Sequence, residues 1–286
     1  MPGEKVIRYE DLRAEDDGLL MPPPVGSWAE EKYRHLWNYA NVFSTSMKNS
    51  WHKRVYIDLF CAAGKARKRN TGSVLYSSPL LALKANTPFD RYIFCDSNPE
   101  YLEALRERVR SSHSEADVVY ICGDANSNVG RILDAMPPFG PESRVLGFCF
   151  ADPFRMFDLR FSTIRALADR YMDFLIHIPA GESFRNEATY LDPSCRIVDN
   201  FLDKEDWRES WRAQPGRMRF DFFVSNLFCD QMGSLRYRGK VEDSVLIRNA
   251  EKNAPLYRLG VFSRHELGDR LWKQTKKYSK DQFDLF

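Results

Sequence analysis

Short apolar runs, each with an aspartate inside it or just after it, recur along the first half of this chain. The runs are Val55–Phe60, Arg91–Asp96, Val118–Cys122 and Val145–Ala151, and stretches with helical features lie between them. The last run is apolar throughout, which is typical of a strand buried on both faces of a parallel sheet. Strands that alternate with helices in this way predict an α/β fold with a doubly wound, mostly parallel sheet.

Helix-start signals occupy the gaps between these strands. Ser27, with Glu30 three residues later, has the pattern of a capping box and predicts a helix that runs to about Met47. Ser78 followed by Pro79 predicts a second helix, because serine caps a helix well and proline is favoured in the first turn. These signals support the alternation of strand and helix.

The second half of the chain departs from this alternation. After a further strand at Met172–Ile178, the stretch 182–240 is interpreted as an insertion, in which Leu202–Trp211 is predicted to be helical. Two strand-like runs, Ser244–Asn249 and Leu256–Phe262, then predict an antiparallel C-terminal hairpin before a last helix. Antiparallel strands that close a parallel sheet are typical of the Rossmann-like methyltransferase fold.

The predicted organisation has three parts: a leader and helix at 1–50, a Rossmann-like domain at 51–277 and a flexible tail at 278–286. Hydrophobic residues make up 43% of the 286 residues, which is enough for a sizeable core. The apolar runs are too short to cross a bilayer, and the first residues lack the apolar segment of a secretory signal. We therefore expect a soluble, cytoplasmic protein that does not contact a membrane.

The six cysteines are spread along the chain without a C-x-x-C pair, so the sequence predicts neither a metal site nor a disulfide framework. Four of them lie at or near predicted strand ends: Cys61, Cys95, Cys122 and Cys149. We interpret these four as small residues that fill tight buried positions, rather than as a cluster of thiolates.

The first loop after a strand is the first candidate site, because ligands of open α/β sheets bind beyond the carboxyl ends of the strands. This loop reads Asp58-Leu-Phe-Cys-Ala-Ala-Gly64. Its glycine permits a close approach of the backbone to a ligand, and its backbone N–H groups are suited to a ligand carboxylate. The candidate binding residues are Asp58, Phe60, Cys61, Ala62 and Gly64.

The next two strand ends each offer a carboxylate. Asp96, followed by Ser97, is placed either to accept hydrogen bonds from two ribose hydroxyls or to cap the next helix. Asp124, followed by Ala125, is placed either to accept from an adenine amine or, again, to cap a helix. S-adenosylmethionine needs such a combination of loop, ribose acceptor and adenine acceptor. A dinucleotide is disfavoured because the pattern G-x-G-x-x-G is missing.

The fourth strand end, Asp152-Pro153-Phe154, resembles the D/N-P-P-Y/F element of amino methyltransferases. The resemblance implies that Asp152 and the carbonyl group of Pro153 accept hydrogen bonds from a target amine, and that the ring of Phe154 stacks on a base. This chain has one proline in place of two, and Arg155 follows the ring. The alternative is an ordinary turn at the end of a strand.

Six blocks of sequence follow one another in a familiar order: Trp28–Lys32, Tyr56–Phe60, Ser78–Ala82, Phe94–Asp96, Ala151–Phe154 and Leu256–Ser263. Together they resemble the three-Cys-motif partner protein family over roughly residues 27–275. The resemblance implies a Rossmann-type, S-adenosylmethionine-dependent methyltransferase whose partner is a separate, radical-SAM-like protein that carries the three cysteines. The family's first loop tends to read Asp-x-Phe-Ala-Gly-Pro-Gly, so this chain departs from it at Cys61 and has lost one glycine.

A basic run directly follows that loop. Its cations are Lys65, Arg67, Lys68 and Arg69. Together with Arg155 they are candidates for contacts with the phosphates of a nucleic acid. The alternative is a charged loop that is simply solvated.

The end of the chain, Gln282-Phe-Asp-Leu-Phe286, resembles the peptide by which bacterial proteins bind the replication sliding clamp. The resemblance implies that Gln282 makes a polar contact and that Leu285 and Phe286 fill an apolar pocket. The alternative is that the tail packs on its own domain.

These features predict a methyltransferase that acts on nucleic acid or a nucleobase, with S-adenosylmethionine as cofactor and the radical-SAM-like protein as partner. The five histidines form no cluster in the sequence, which suits a reaction that depends mainly on alignment. The alternative function is a non-catalytic, DNA-binding subunit of a DNA repair or modification complex, tethered to the sliding clamp. The altered first loop favours this alternative, whereas the aspartates and the Asp-Pro-Phe element favour the enzyme.

Overall fold

The computed structural model describes residues 6–214, 216, 218–249 and 252–280. Its strands are β1 (Lys53–Asp58), β2 (Lys65–Arg67), β3 (Val74–Tyr76), β4 (Arg91–Asp96), β5 (Val118–Cys122), β6 (Val145–Ala151), β7 (Met172–Ile178), β8 (Val245–Arg248) and β9 (Pro255–Phe262). Its helices are α1 (Trp28–Met47), α2 (Ser78–Leu83), α3 (Pro99–Ser112), α4 (Val129–Ala135), α5 (Phe161–Leu167), α6 (Ala180–Arg185), α7 (Glu187–Leu191), α8 (Ile197–Leu202), α9 (Trp207–Arg212), α10 (Phe220–Ser234) and α11 (Glu266–Lys280). Short 3₁₀ turns lie at Tyr9–Asp11, Met156–Asp158 and Val241–Asp243.

The main sheet has seven strands within the described residues, in the order β5-β4-β1-β6-β7-β9-β8. Strands β1, β4, β5, β6 and β7 pair in parallel, whereas β9 runs antiparallel to both β7 and β8. The strand order therefore reverses between β1 and β6, which is where an open α/β sheet binds its ligands. The predicted Rossmann-like methyltransferase fold is confirmed.

The two faces of the sheet are covered by different sets of helices, because successive side chains of a strand point to opposite faces. On β6, Phe148 and Phe150 pack into one cluster with α1, α2, α3 and α11. Cys149 and Ala151 pack into the other cluster with α4, α5, α8 and α10. Helix α1 thus belongs to the same core as the sheet, although the sequence analysis placed it in a separate leader-and-helix segment.

The insertion after β7 contains more helix than the sequence indicated. Its helices α7 to α10 contribute to the core on one face of the sheet, in which Trp207 and Phe220 are buried completely or nearly so. The single helix predicted at Leu202–Trp211 is wrong, because α8 ends at Leu202 and Asp203 adopts a left-handed conformation with φ of 51°. That conformation breaks a helix, and α9 begins again at Trp207.

Two local predictions about the first half are also corrected. The capping box at Ser27 does not form, since Ser27 has helical backbone angles and its side chain makes no capping hydrogen bond. A solvated loop was the alternative given for the basic run after the first loop, but residues 65–67 of that run form β2 and pair antiparallel with β3. The helix predicted after Ser78 is present, with Ser77 as its cap residue.

No helix among the described residues is long and apolar enough to cross a bilayer.

Candidate functional site

The loop after β1 is stabilised by Asp58, the last residue of that strand, whose side chain is completely buried. Its carboxylate accepts hydrogen bonds from the backbone N–H of Phe60 and from the hydroxyl of Tyr56, each at 3.3 Å. Burial raises the pKa of Asp58 to about 7, and the hydrogen bonds only partly offset this. Asp58 therefore stabilises the loop from the protein interior.

The turn in this loop depends on two residues with positive φ. Ala62 has φ of 50° and Gly64 has φ of 85°. A Cβ atom at Gly64 would lie 2.8 Å from Leu105 Cδ1 and 3.0 Å from Leu80 Cγ, so only glycine fits there. Cys61 is buried at the start of the turn, where its N–H donates to the carbonyl of Cys95. The loop consequently packs closely against β4 and α3.

Asp96 joins this loop to the loop after β4. One carboxylate oxygen accepts from the N–H of Ala62 at 2.8 Å and the other from the N–H of Asn98 at 2.9 Å. Burial raises the pKa of Asp96, although these backbone bonds act in the opposite direction. An ionised carboxylate has about four acceptor positions, and the backbone N–H groups of Asn98, Ala62 and Ser97 act on this one, so some acceptor capacity remains for a ligand hydroxyl. Ser97 is exposed beside it.

Asp124 is engaged in a turn of its own. It accepts from Ser127 N at 2.9 Å, from Ser127 Oγ at 2.8 Å and from Asn126 Nδ2 at 2.9 Å. Burial raises the pKa of Asp124, but the bonds from Ser127 and Asn126 outweigh burial and lower the pKa overall. Asp124 therefore closes a turn ahead of α4 and does not cap that helix, whose N-cap residue is Asn128; the adenine contact stays a prediction. Ala125, next to it, is buried.

Asp152, at the end of β6, lies in a buried charged cluster that the sequence did not reveal. One carboxylate oxygen pairs with the Lys32 ammonium group, and the other lies 2.7 Å from His177 Nδ1. The side chains of Lys32, Asp152 and His177 are only 13%, 16% and 11% exposed. Lys32 comes from α1 and His177 from β7, so three separate elements meet here. We call these three residues the Lys32–Asp152–His177 cluster.

In this cluster Lys32 and Asp152 are charged, whereas His177 is neutral. Burial raises the pKa of Asp152, but Lys32 and His177 oppose burial and hold the pKa well below its usual range. Burial lowers the pKa of Lys32, and the charge of Asp152 more than reverses that shift. Burial also lowers the pKa of His177, more than Asp152 raises it. At neutral pH the arrangement is an ammonium–carboxylate pair beside a neutral imidazole.

Aromatic rings form the wall around this cluster. The ring of Tyr257 lies 4.0 Å from the His177 imidazole, between centroids, and the Lys32 ammonium lies 5.1 Å from the Tyr33 ring. The hydroxyl of Tyr257 is buried and has no hydrogen-bond partner among the described residues. A buried hydroxyl without a partner is costly, which is consistent with a place where a ligand binds.

The Asp-Pro-Phe turn extends from the cluster to the surface. Pro153 is buried, but the side chain of Phe154 is 88% exposed. Glu182 fixes the end of the turn, because its carboxylate accepts from the N–H of Met156 and from the hydroxyl of Tyr190, both at 2.8 Å. The turn is therefore anchored while the Phe154 ring projects outward.

Arg155 follows Phe154 and is exposed. Its guanidinium group lies over the ring of Phe157, 4.1 Å from the centroid. The structure thus places a cation and two exposed aromatic rings on one turn, next to the Lys32–Asp152–His177 cluster.

The basic run after the first loop is paired internally. Lys65 lies 2.9 Å from Asp17, Lys68 lies 3.1 Å from Glu30, and Arg67 pairs with Asp16. The guanidinium group of Arg69 donates to the carbonyl of Pro24 at 3.1 Å. The charges proposed for phosphate contacts are thus largely met by acidic residues of the leader and by α1.

A cleft of about 370 Å³ lies between the leader and the β2–β3 hairpin, with Tyr9, Arg13, Glu30 and Tyr76 among its lining residues. Of the residues proposed above it includes only Lys68. The cleft is therefore a feature of the leader, separate from the site at the strand ends.

Sequence reasoning missed Lys32, His177 and Tyr257. A histidine placed one residue before the end of a mostly apolar, buried strand was the available signal for His177. Among the described residues, no group of three or more potential ligands could hold a metal ion. The tail residues Gln282, Leu285 and Phe286 lie outside the described residues.

No protein-family model matches this chain, and no curated protein matches it in sequence. Among solved structures, a Legionella pneumophila protein of the DUF519 family is similar at 14% identity and a TM-score of 0.46, covering 82% of this chain and 88% of that one. An O-methyltransferase from Bacillus cereus, solved with S-adenosylhomocysteine, is similar at 9% identity and a TM-score of 0.43. The match covers 78% of this chain and 80% of that one. Trm1 from Pyrococcus horikoshii, solved with S-adenosyl-L-methionine, is similar at 12% identity and a TM-score of 0.44. The match covers 90% of this chain but 61% of that protein. The assignment of the fold rests on the sheet order described above.

Proposed function

We propose that this protein is an S-adenosylmethionine-dependent methyltransferase. The observation that carries the proposal is the position of Asp96, whose carboxylate joins the first two loops at the reversal of strand order and keeps free acceptor positions. The Lys32–Asp152–His177 cluster lies at the neighbouring strand ends, β6 and β7. One edge of the sheet thus offers a cofactor side and an acceptor side.

The residues at this edge fit the cofactor. Gly64 permits the tight turn that brings backbone N–H groups to the methionine end, and Asp96 is suited to the ribose hydroxyls. When bound, S-adenosylmethionine supplies a methyl group on a positively charged sulfur. The chain's own part is to hold the acceptor in line, exclude water and receive a proton.

Calorimetry with S-adenosylmethionine and S-adenosylhomocysteine tests this function. We expect binding, and we expect Asp96→Ala to weaken it by about 1–3 kcal/mol, or about 5–150-fold, because ribose hydroxyls would lose their acceptor. Asp117→Ala is the matched control, since Asp117 forms an exposed ion pair with Arg91 at the start of β4. Equal affinities for the parent and Asp96→Ala would rule out this assignment.

We further propose nucleic acid, or a nucleobase, as the acceptor. Phe154 and Phe157 are exposed rings beside the site, and Arg155 adds a cation; exposed rings and arginines together bind single-stranded nucleic acid by stacking and charge. We expect Phe154→Ala to weaken binding of a fluorescent single-stranded oligonucleotide by about 1–3 kcal/mol. Phe139→Ala is the control, because Phe139 is another exposed ring but contacts Tyr171, ahead of β7. Equal losses in the two variants would remove the acceptor proposal.

A radical-SAM-like protein with three cysteines is the partner that we propose from the family resemblance. Co-purification of the two proteins tests this pairing. The sliding clamp is proposed for the tail, and a synthetic peptide of residues 276–286 tests it by direct binding to the clamp. A peptide with alanine in place of Leu285 and Phe286 is the control.

The second candidate function is a non-catalytic subunit that binds DNA and presents it for repair or modification. Ala62 favours it, because a residue with a side chain occupies a positive-φ position of the cofactor loop. Oligonucleotide binding that depends on Phe154, without any binding of S-adenosylmethionine, would select this candidate.

A further inference from the structure

Both carboxylate oxygens of Asp152 already have partners within the protein. Lys32 pairs with one oxygen and His177 Nδ1 with the other, and the side chain of Asp152 is 16% exposed. The role implied by the Asp-Pro-Phe resemblance, in which this carboxylate accepts directly from the acceptor, would compete with both contacts. His177, beside it, still has a ring nitrogen, Nε2, outside this contact.

The charge of Lys32 decides which nitrogen of His177 carries hydrogen. Because Lys32 keeps Asp152 ionised, the carboxylate can only accept, so Nδ1 must donate. The neutral ring then has its lone pair on Nε2, which makes no hydrogen bond among the described residues. A carboxylate that fixes the tautomer of a histidine in this way also stabilises the imidazolium ion that forms when the ring takes a proton.

The groups that face His177 come from four elements. They are Asp152 directly after β6, Lys32 from α1, Glu182 from α6 and Tyr257 from β9. Asp152 and Glu182 favour the protonated ring, whereas Lys32 and burial favour the neutral ring. The balance leaves the ring neutral at pH 7, and the two carboxylates are ready to stabilise a proton that arrives.

We propose that His177 is the proton acceptor of the reaction, and that Asp152 is a positioning residue that orients it. The inference rests on the proposed methyltransferase function. In the transfer, a lone pair of the acceptor forms the bond to the methyl carbon, and the electrons of the broken carbon–sulfur bond stay on sulfur. The O–H or N–H bond of the acceptor breaks, its electrons stay on the acceptor and its proton goes to Nε2. The acceptor is therefore a group with a hydrogen to lose.

Long-range ¹H–¹⁵N NMR spectra of the histidine side chains test the proposal without a substrate. His177→Gln assigns the signal by its loss. At pH 7 we expect a neutral His177 ring with hydrogen on Nδ1 and none on Nε2. In Asp152→Asn the amide can donate to the ring, so we expect hydrogen to move to Nε2. His113, which contacts Ser112, is the internal control and should not change.

A ring with hydrogen on Nε2, or a doubly protonated ring at pH 7, would overturn the proposal in the parent protein. Should Asp152→Asn fail to fold, the parent spectrum alone decides. Calorimetry tests the proposed methyltransferase function separately from the role of His177. The affinity of His177→Gln for S-adenosylmethionine should lie within about twofold of the parent's, since His177 lies on the acceptor side. If the parent does not bind the cofactor, the methyltransferase function is ruled out. The role of His177 in that reaction is then ruled out too, whichever tautomer the spectra show.

Discussion

Lys32 is the residue that permits an ionised carboxylate at the largely buried position of Asp152. The two side chains are 13% and 16% exposed, so each would be costly alone. An ion pair at such a position adds little net stability, because the desolvation of both groups offsets their attraction. Its value here is that Asp152 stays charged and directs His177.

Removing Lys32 alone should therefore lower the free energy of unfolding much more than removing Lys32 and Asp152 together. We expect Lys32→Met to lower the free energy of unfolding by about 3–5 kcal/mol, because it leaves an uncompensated buried anion. The double variant Lys32→Met/Asp152→Leu should recover most of that loss, since apolar residues of similar volume replace buried ion pairs without large cost. Urea unfolding measures both.

Lys53→Met is the control for the lost charge. Lys53 is exposed at the start of β1, so its replacement should change stability by less than about 0.5 kcal/mol. A double variant as unstable as Lys32→Met would contradict this account of the pair.

At the scale of elements, Arg108 of α3 attaches the leader to the first loop. Its guanidinium group forms a two-point pair with Asp17 at 2.8 Å and donates to the carbonyls of Leu19 and Leu20. It also donates to the carbonyl of Ala63, inside the loop, at 2.6 Å. The side chain is 2% exposed. One buried residue thus links the leader, α3 and the candidate cofactor loop.

Arg108→Ala should release the leader and loosen the loop. We expect the free energy of unfolding to fall by roughly 3 kcal/mol, because several carbonyl groups lose their donor and Asp17 is left with Lys65 as its ion-pair partner. Limited proteolysis followed by mass spectrometry should show new cleavage between residues 6 and 26, and calorimetry should show weaker cofactor binding.

Arg110→Ala is the matched control on the same helix. Arg110 pairs with Glu107 at the surface, where its side chain is 74% exposed, and such pairs contribute little to stability. An unchanged cleavage pattern in Arg108→Ala, relative to this control, would show that the leader does not depend on Arg108.

For the molecule as a whole, two buried aspartates on the sheet set part of its pH dependence. Burial raises the pKa of Asp58 on β1 and of Asp173 on β7, in each case to about 7. In the unfolded chain an aspartate has a pKa of about 3.9. Between these values the folded protein binds more protons than the unfolded chain, so these groups make stability fall as pH rises from about 4 to about 7.

Asp173→Asn isolates one of these contributions. The amide has nearly the shape of the protonated acid but does not ionise, so the variant should gain stability relative to the parent as pH rises from 4 to 8. Linkage gives an upper limit of about 4 kcal/mol for that relative gain. Urea unfolding of both proteins at pH 4, 6 and 8 measures it.

The comparison between variant and parent is needed because other groups act in the opposite direction. Burial lowers the pKa of His35 to about 4, so His35 makes stability rise as pH increases through that range and up to about 6.5. A constant difference between Asp173→Asn and the parent from pH 4 to pH 8 would contradict the raised pKa of Asp173.

Most of the sheet, and the placement of the candidate residues at its strand ends, were predictable from the sequence for a local reason. The strands β4, β5, β6 and β7 have the bounds that their apolar runs predicted. Strand ends in a parallel sheet gather at one edge, so the positions of Asp96 and Asp152 followed once the strands were known. Periodicity and turn residues are properties of neighbouring residues, and a sequence displays them directly.

Only the tertiary structure decided which charged groups meet. Lys32 reaches Asp152 across 120 positions of sequence, and Arg108 reaches Asp17 across 91. The acidic leader likewise neutralises the basic run that the sequence suggested for phosphates. Apolar side chains become buried through the hydrophobic effect, which is non-directional and acts on any apolar residue. An ion pair requires two particular side chains within a few ångströms of each other, and only the packing of α1, β6, β7 and the leader fixes that distance.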